Sequence, residues 1–176
     1  MPTKGAADLS RGRERGSIHG SRDGEQSHGC VQCAALPCRI GESSQPQVLL
    51  LTSRETRRWV IPKGWPVKGL KPREVAAREA YEEAGLLGTI TGKHAIGVYH
   101  YEKQLPGEQL LIEVRVFQFW VAQQLDDWPE RRQRETRWFD VAEAAALVDE
   151  GGLAEIIRLA AFAPHHARTE AITPVM

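Results

Sequence analysis

Three carboxylates and one guanidinium stand close together in the segment Arg78-Glu79-Ala80-Tyr81-Glu82-Glu83-Ala84-Gly85. Residues three and four apart on a helix share a face, so Glu79, Glu82 and Glu83 would present their acids within one turn. Like charges at that spacing cost a helix roughly 0.2–0.5 kcal/mol per pair. A hard divalent cation, which prefers carboxylate oxygens, relieves the crowding. The plain alternative is a surface helix that happens to carry three acids, with Arg78 bracing Glu82 four residues on. The preceding segment favours chemistry. Between residues 54 and 73 run Arg54, Arg57, Arg58, Lys63, Lys68, Lys71 and Arg73 against a single acid, Glu55. A cation on the acidic face beside a phosphate on a basic loop is what phosphoryl chemistry needs, because there catalysis is mostly positioning and charge neutralisation.

The elements that would position these groups are legible in outline. Pro72 suits a first helical position, Glu74 complements the positive end of the dipole, and Gly85 suits a left-handed cap, which predicts a helix over 72–84. Residues 62–71, with Gly64, Pro66 and Gly69, read as an irregular basic loop leading into it. Apolar runs at 31–40, 47–52 and 58–61 read as strands. Alternation at 89–101 and 110–123, with Pro106-Gly107 near the tip, predicts a long hairpin. Asp140 and Glu143 resemble a capping box that opens a helix to about residue 149, broken by Gly151-Gly152 and resumed over 153–162. This order of strands, helix, hairpin and helix is mixed α/β without βαβ repetition.

A chain of 176 residues with 41% hydrophobic content supports one domain. Lysine plus arginine equals aspartate plus glutamate at 23 each, so no net field points to nucleic acid or a membrane surface. No window approaches the roughly 20 apolar residues of a membrane span, and a cytoplasmic protein is the expectation. Residues 1–28 are polar and glycine-rich and are expected to be a disordered tail. The domain is expected at 29–165, with a C-terminal tail at 166–176. Cys30, Cys33 and Cys38 lie within nine residues; only His28 is near enough to complete a zinc set, so buried thiols are expected instead. His94 and His100 fall in a predicted strand and are read as structural before titrating. Trp65 would stack on a ligand or cover the loop, and Trp138 and Phe139 read as core.

The stretch Gly64-x5-Leu70-x7-Arg78-Glu79-Ala80-x-Glu82-Glu83-x-Gly85-Leu86 resembles the Nudix box, fitting eight of its nine defined positions. Leu70 is the departure, standing where the family has glutamate. Likeness over residues 30 to 163 is strongest to the diphosphoinositol polyphosphate phosphohydrolase type, through 34–39, 48–54, 59–64 and Trp138-Phe139, although Lys63-Gly64-Trp65 departs from the glycine-rich entry of those enzymes. The resemblance implies a single-domain α/β/α sandwich with a mixed sheet and hydrolysis of a phosphoanhydride by activated water. It implies Mg²⁺ (Mn²⁺ as the alternative) held by Glu79, Glu83, Glu82 and the carbonyl of Gly64, with Glu82 bound to metal or accepting the proton from water. Ser53, Arg54, Lys63 and Arg58 would hold substrate phosphate, and Arg78 would be a structural brace. A further acid from outside the box is expected, with Glu113 and Glu135 as candidates. The expected partner is a small polyphosphate, such as a diphosphoinositol polyphosphate or a diadenosine polyphosphate; the alternatives are a nucleotide-sugar pyrophosphatase and a catalytically weak nucleotide sensor.

Overall fold

Val48, Leu49, Leu50 and Leu51 follow one another in sequence and all are fully buried, yet they serve two different cores. Val48 and Leu50 join one apolar cluster while Leu49 and Leu51 join another. A strand sends successive side chains to opposite faces, so a continuous apolar run means a strand covered on both sides. The structure, a computed structural model, describes residues 30–160 and 162. In chain order the elements are β1 (Val31–Ile40), β2 (Pro46–Thr52), β3 (Trp59–Val60), β4 (Lys63–Gly64), α1 (Pro72–Ala84), β5 (Leu86–Ile90), β6 (Gly97–Leu105), β7 (Glu108–Gln124), β8 (Thr136–Asp140), α2 (Val141–Leu147) and α3 (Gly151–Leu159).

The strands form one mixed sheet in the order β3-β2-β1-β7-β5; β8 also pairs with β2, β4 with β1 and β6 with β7. β1 and β7 run parallel, from Val31 opposite Glu113 to Cys38 opposite Trp120, and the remaining pairs are antiparallel. On one face, Ala34, Leu36, Tyr99, Val114 and Phe139 pack with Ala144, Leu153 and Ile157 of α2 and α3. On the other, Cys33, Ala35, Phe117 and Phe119 pack with Val75, Ala76, Ala77, Ala80 and Ala84 of α1. The small alanines of α1 let it lie close to the sheet, and the result is the expected α/β/α sandwich.

Both ends of α1 are as the sequence predicts. Pro72 occupies the first turn, the Lys71 N–H donates to the Glu74 carboxylate at 2.8 Å, and Gly85 closes the helix at φ 66°. Four expectations need correcting. The strand foreseen at 89–101 is two strands along one edge of β7, with Ile90 opposite Phe119 and Gly97 opposite Val116. Gly92, at φ 80°, steps the chain out between them, so His94 lies on a loop and only His100 on a strand. Gly151 and Gly152 begin α3 instead of breaking a helix. The break falls at Val148, which bridges to Trp59, and a Cβ at Gly152 would come 2.9 Å from Tyr99, so glycine there serves close packing. Residues 63–64 of the supposedly irregular loop pair with β1 as Cys33 opposite Gly64 and Ala34 opposite Lys63. At α2, Asp140 makes no cap bond through its side chain. Cys33 and Cys38 are buried, and burial pushes the Cys38 thiol up to about 12, so both behave as small apolar groups. The expected tails and His28 lie outside the described residues.

Candidate active site

The pairing of β4 with β1 sets the backbone of Gly64 directly beside α1. It lies so close to Glu79 that a Cβ there would overlap the carboxylate, which leaves glycine as the residue that fits. Glu79 is half-buried, and its carboxyl is pushed up to about 7 by burial first, then by the charges of Glu83 and Glu82, with Arg78 opposing. Glu83 is buried. The Lys63 N–H donates to it at 3.1 Å, and the Arg134 guanidinium donates to its other oxygen. Burial raises its pKa, and Arg134 and Lys63 pull it back. Glu82 accepts from Arg78 at 2.7 Å along the same helix.

The segment after β7 wraps the end of α1. Leu125 N–H donates to the Gly85 carbonyl at 2.8 Å, Trp128 Nε1–H to the Glu83 carbonyl at 3.2 Å, and Glu130 N–H to the Glu82 carbonyl at 3.1 Å. These bonds occupy carbonyls that a helix C-terminus leaves without intrahelical partners. The same segment delivers Arg134, whose side chain is only 6% exposed. Besides Glu83 it reaches Glu130 through Nε at 2.6 Å and the Thr52 carbonyl through Nη1 at 3.1 Å. Arg134 therefore ties α1, β2 and the wrapping segment together at the acids.

The residues singled out from sequence divide accordingly. Gly64, Glu79 and Glu83 meet, with Glu82 one step along the helix beside Arg78. Among the described residues no three carboxylates, thiols or imidazoles converge on one point; Glu82 and Glu83 are each held by an arginine. Ser53 organises a turn: its Oγ lies 2.7 Å from Thr56 Oγ1 and accepts the Arg58 N–H at 3.1 Å. Arg54 extends to Glu130 at 3.5 Å. Arg58 is turned to Asp149 and Glu150, at 3.4 and 3.6 Å. Lys63 lies opposite Ala34 of the α2–α3 core, with its Nζ 5.8 Å from the Tyr101 ring.

Neither candidate for an outside acid is at the acidic cluster. Glu113 is held by Arg115 at 2.8 Å, and Glu135 is exposed, 4.0 Å from Arg57. Glu130 is there instead, and its charge adds to the upward push on both Glu79 and Glu83. Glu130, Arg134 and Trp128 went unnoticed in the sequence; the one signal was the four-residue spacing of Glu130 and Arg134, which also marks any surface ion pair. Beside them a cleft of about 490 Å³ is lined by Arg57, Trp128, Arg131, Arg132 and Arg134. Leu70 packs on the α1-side core.

The profile of the family described as "NUDIX domain" matches residues 34–160. Nudix hydrolase 17, mitochondrial, of Arabidopsis thaliana is 32% identical over 117 residues, covering 66% of this chain and 62% of that protein. Human diphosphoinositol polyphosphate phosphohydrolase 3-alpha is 31% identical over 117 residues, covering 65% of this chain and 67% of that protein. The chain spans between 48% and 62% of the length of four Arabidopsis relatives that it matches. Among solved structures, a Caenorhabditis elegans Ap4A hydrolase superposes with a TM-score of 0.53 at 18% identity, over 74% of this chain and 94% of its own. That likeness concerns the fold. No helix among the described residues is long and apolar enough to cross a membrane.

Proposed function

The chain belongs to the NUDIX family, and on that footing we propose that it is a Mg²⁺-dependent hydrolase of phosphoanhydride bonds in small, highly charged polyphosphates. The observation that carries this reading is Glu79 set against the backbone of Gly64, with Glu82 and Glu83 on the same helix. The group fits the residues: the donors are all hard oxygens, and Gly64 leaves no Cβ between its backbone and the Glu79 carboxylate. Glu79, Glu83 and the Gly64 carbonyl would hold Mg²⁺, or Mn²⁺, with Glu130 as the further acid. When bound, the metal neutralises phosphate charge and lowers the pKa of water.

The chain's own residues supply the rest. Arg78 occupies Oε1 of Glu82, which leaves Oε2 to accept a proton from attacking water. Arg134 opposes the upward push of burial on the Glu83 carboxyl and holds that side chain in place. Ser53 shapes the turn that presents Arg54, and the arginine-lined cleft beside Trp128 gives phosphates a fork-like set of donors. That cleft, together with the human relative's name, supports a substrate of the diphosphoinositol polyphosphate or dinucleoside polyphosphate kind.

The test is phosphate release with Mg²⁺ and with chelator, on diphosphoinositol polyphosphates, diadenosine polyphosphates, ADP-ribose and nucleoside triphosphates, comparing wild type with Glu83→Gln. Metal-dependent turnover lost in the variant is expected. Binding without turnover on every compound would replace the hydrolase by a nucleotide sensor.

A further inference from the structure

Four charged side chains of alternating sign lead from solvent to the buried acid of α1. Arg54, 59% exposed, reaches Oε1 of Glu130 at 3.5 Å. Glu130, 21% exposed, accepts through Oε2 from Nε of Arg134 at 2.6 Å. Arg134, 6% exposed, donates through Nη2 to Glu83. Glu130 thus has one oxygen on a buried arginine and the other on an exposed one. The two contacts are unequal. A short, shielded bond between a guanidinium and a carboxylate is strong, whereas a 3.5 Å pair with an exposed arginine is screened by water and contributes little. When Glu130 gives up an oxygen, the contact to Arg54 is the one that opens.

The backbone keeps both partners in place through that change. Glu130 N–H donates to the Glu82 carbonyl at 3.1 Å, which fixes it at the end of α1. The turn that carries Arg54 is tied to the same wrapping segment. Thr52 N–H donates to the Glu135 carbonyl at 2.9 Å, Glu135 N–H to Thr52 Oγ1 at 3.0 Å, and the Arg57 guanidinium to the Gln133 carbonyl at 3.1 Å. Only side chains have to turn. Resting on the reading of Glu130 as a metal ligand, we infer that Glu130 is a positioning residue for substrate phosphate, which holds Arg54 in the metal-free protein and releases it on turning to the cation. In the metal-free protein the four charges sum to zero. Once Glu130 and Glu83 serve a divalent cation, Arg54 makes no second ion pair among the described residues, and its planar fork is left for a phosphate. Linkage makes the effect reciprocal: phosphate on Arg54 frees Glu130 for the metal.

The test is calorimetric binding of methylenediphosphonate, whose P–C–P bridge resists hydrolysis, to the full chain in Mg²⁺ and in chelator. Arg54→Gln is expected to weaken binding about tenfold in Mg²⁺ and less than about twofold in chelator. An equal loss in both conditions, or no loss in either, would overturn the inference. In chelator Glu130→Gln is expected to tighten binding about threefold, and the gain should vanish when Arg54→Gln is added. A gain that persists in the double variant is a general charge effect and overturns it as well. Thermal melts check that Glu130→Gln folds; if it does not, the Arg54→Gln comparison decides alone. With no phosphate present, Arg54→Gln should tighten Mg²⁺ itself about threefold, and an unchanged Mg²⁺ affinity would break the link from the other side. Absence of Mg²⁺ binding in wild type overturns the metal reading and the inference with it, whereas Mg²⁺ binding and turnover with no metal-dependent role for Arg54 overturn the inference only.

Discussion

The guanidinium of Arg134 donates through Nη2 to the carboxylate of Glu83, which stands 51 residues earlier in the chain. Both side chains are under 10% exposed, and the arginine's other nitrogens serve Glu130 and the Thr52 carbonyl. Removing one member of a buried pair leaves a charge in a place where water cannot reach it. Arg134→Met is expected to destabilise the metal-free protein by about 3 kcal/mol in urea unfolding. Arg134→Met combined with Glu83→Gln should lose less than the two single changes added together, and strict additivity would deny the coupling. Since a cation takes over the charge left on Glu83, Mg²⁺ should raise Tm more in Arg134→Met than in wild type.

Gly64 and Glu79 give a test of close approach. Gly64→Ala puts a methyl group where the Glu79 carboxylate lies. The acid must move, and a displaced catalytic group costs about 100-fold in rate. The expected result is a kcat lowered by about that factor, with little further loss when Glu79→Gln is added. If the double variant multiplies the two losses, the glycine acts through something other than Glu79.

Glu79 also predicts a pH dependence for the metal-free protein. Its carboxyl is raised from 4.5 to about 7 by burial and by its acidic neighbours. A raised carboxyl means that the folded state holds the proton more tightly than the unfolded state, so the contribution is full below about 4.5 and is lost as pH rises through about 7. Discounted for solvent screening of a half-exposed group, the loss is about 1 kcal/mol. Wild type minus Glu79→Gln, measured as unfolding free energy in chelator between pH 4 and 8, should decline across that window. A flat difference would remove Glu79 as the titrating group.

Gly85 is constrained twice, by a φ of 66° and by the Trp128 ring, which would stand 2.6 Å from an added Cβ. Gly85→Ala is therefore expected to cost more than the roughly 1 kcal/mol of a left-handed alanine alone. The Trp128 indole should lose its bond to the Glu83 carbonyl, and a shift in tryptophan emission would report it. An unchanged spectrum with unchanged Tm would mean that the wrapping segment is free to yield.

How far the sequence reveals this arrangement depends on the range of each signal. Pro72, Glu74 and Gly85 act within a turn of their own positions, so both ends of α1 could be read directly. The glutamates could be read because helical spacing fixes their common face. Val48 to Leu51 betray a doubly covered strand, but no local pattern says which strands flank it. Glu130 and Arg134 were hidden for the same reason: their partners, Glu83 and Thr52, are brought near only when β7 and the following segment return to α1 and β2. The split of residues 89–101 was hidden because apolar residues recur on both sides of a short polar run, while the stepping-out is done by Gly92.

Leu70 gives the last prediction. It occupies the position where the Nudix box has glutamate, and its side chain packs with Val67 against the core beneath α1. A carboxylate there would leave apolar contacts unfilled and lie half-buried against an apolar cluster. Leu70→Glu is therefore expected to lower stability by about 1–2 kcal/mol in urea unfolding. Because Glu79, Glu82 and Glu83 stand on α1 and the charge of Glu130 already acts on Glu79 and Glu83, kcat should change less than tenfold. A large rise in kcat would show instead that the leucine stands in the place of a working acid and that the four glutamates are not sufficient.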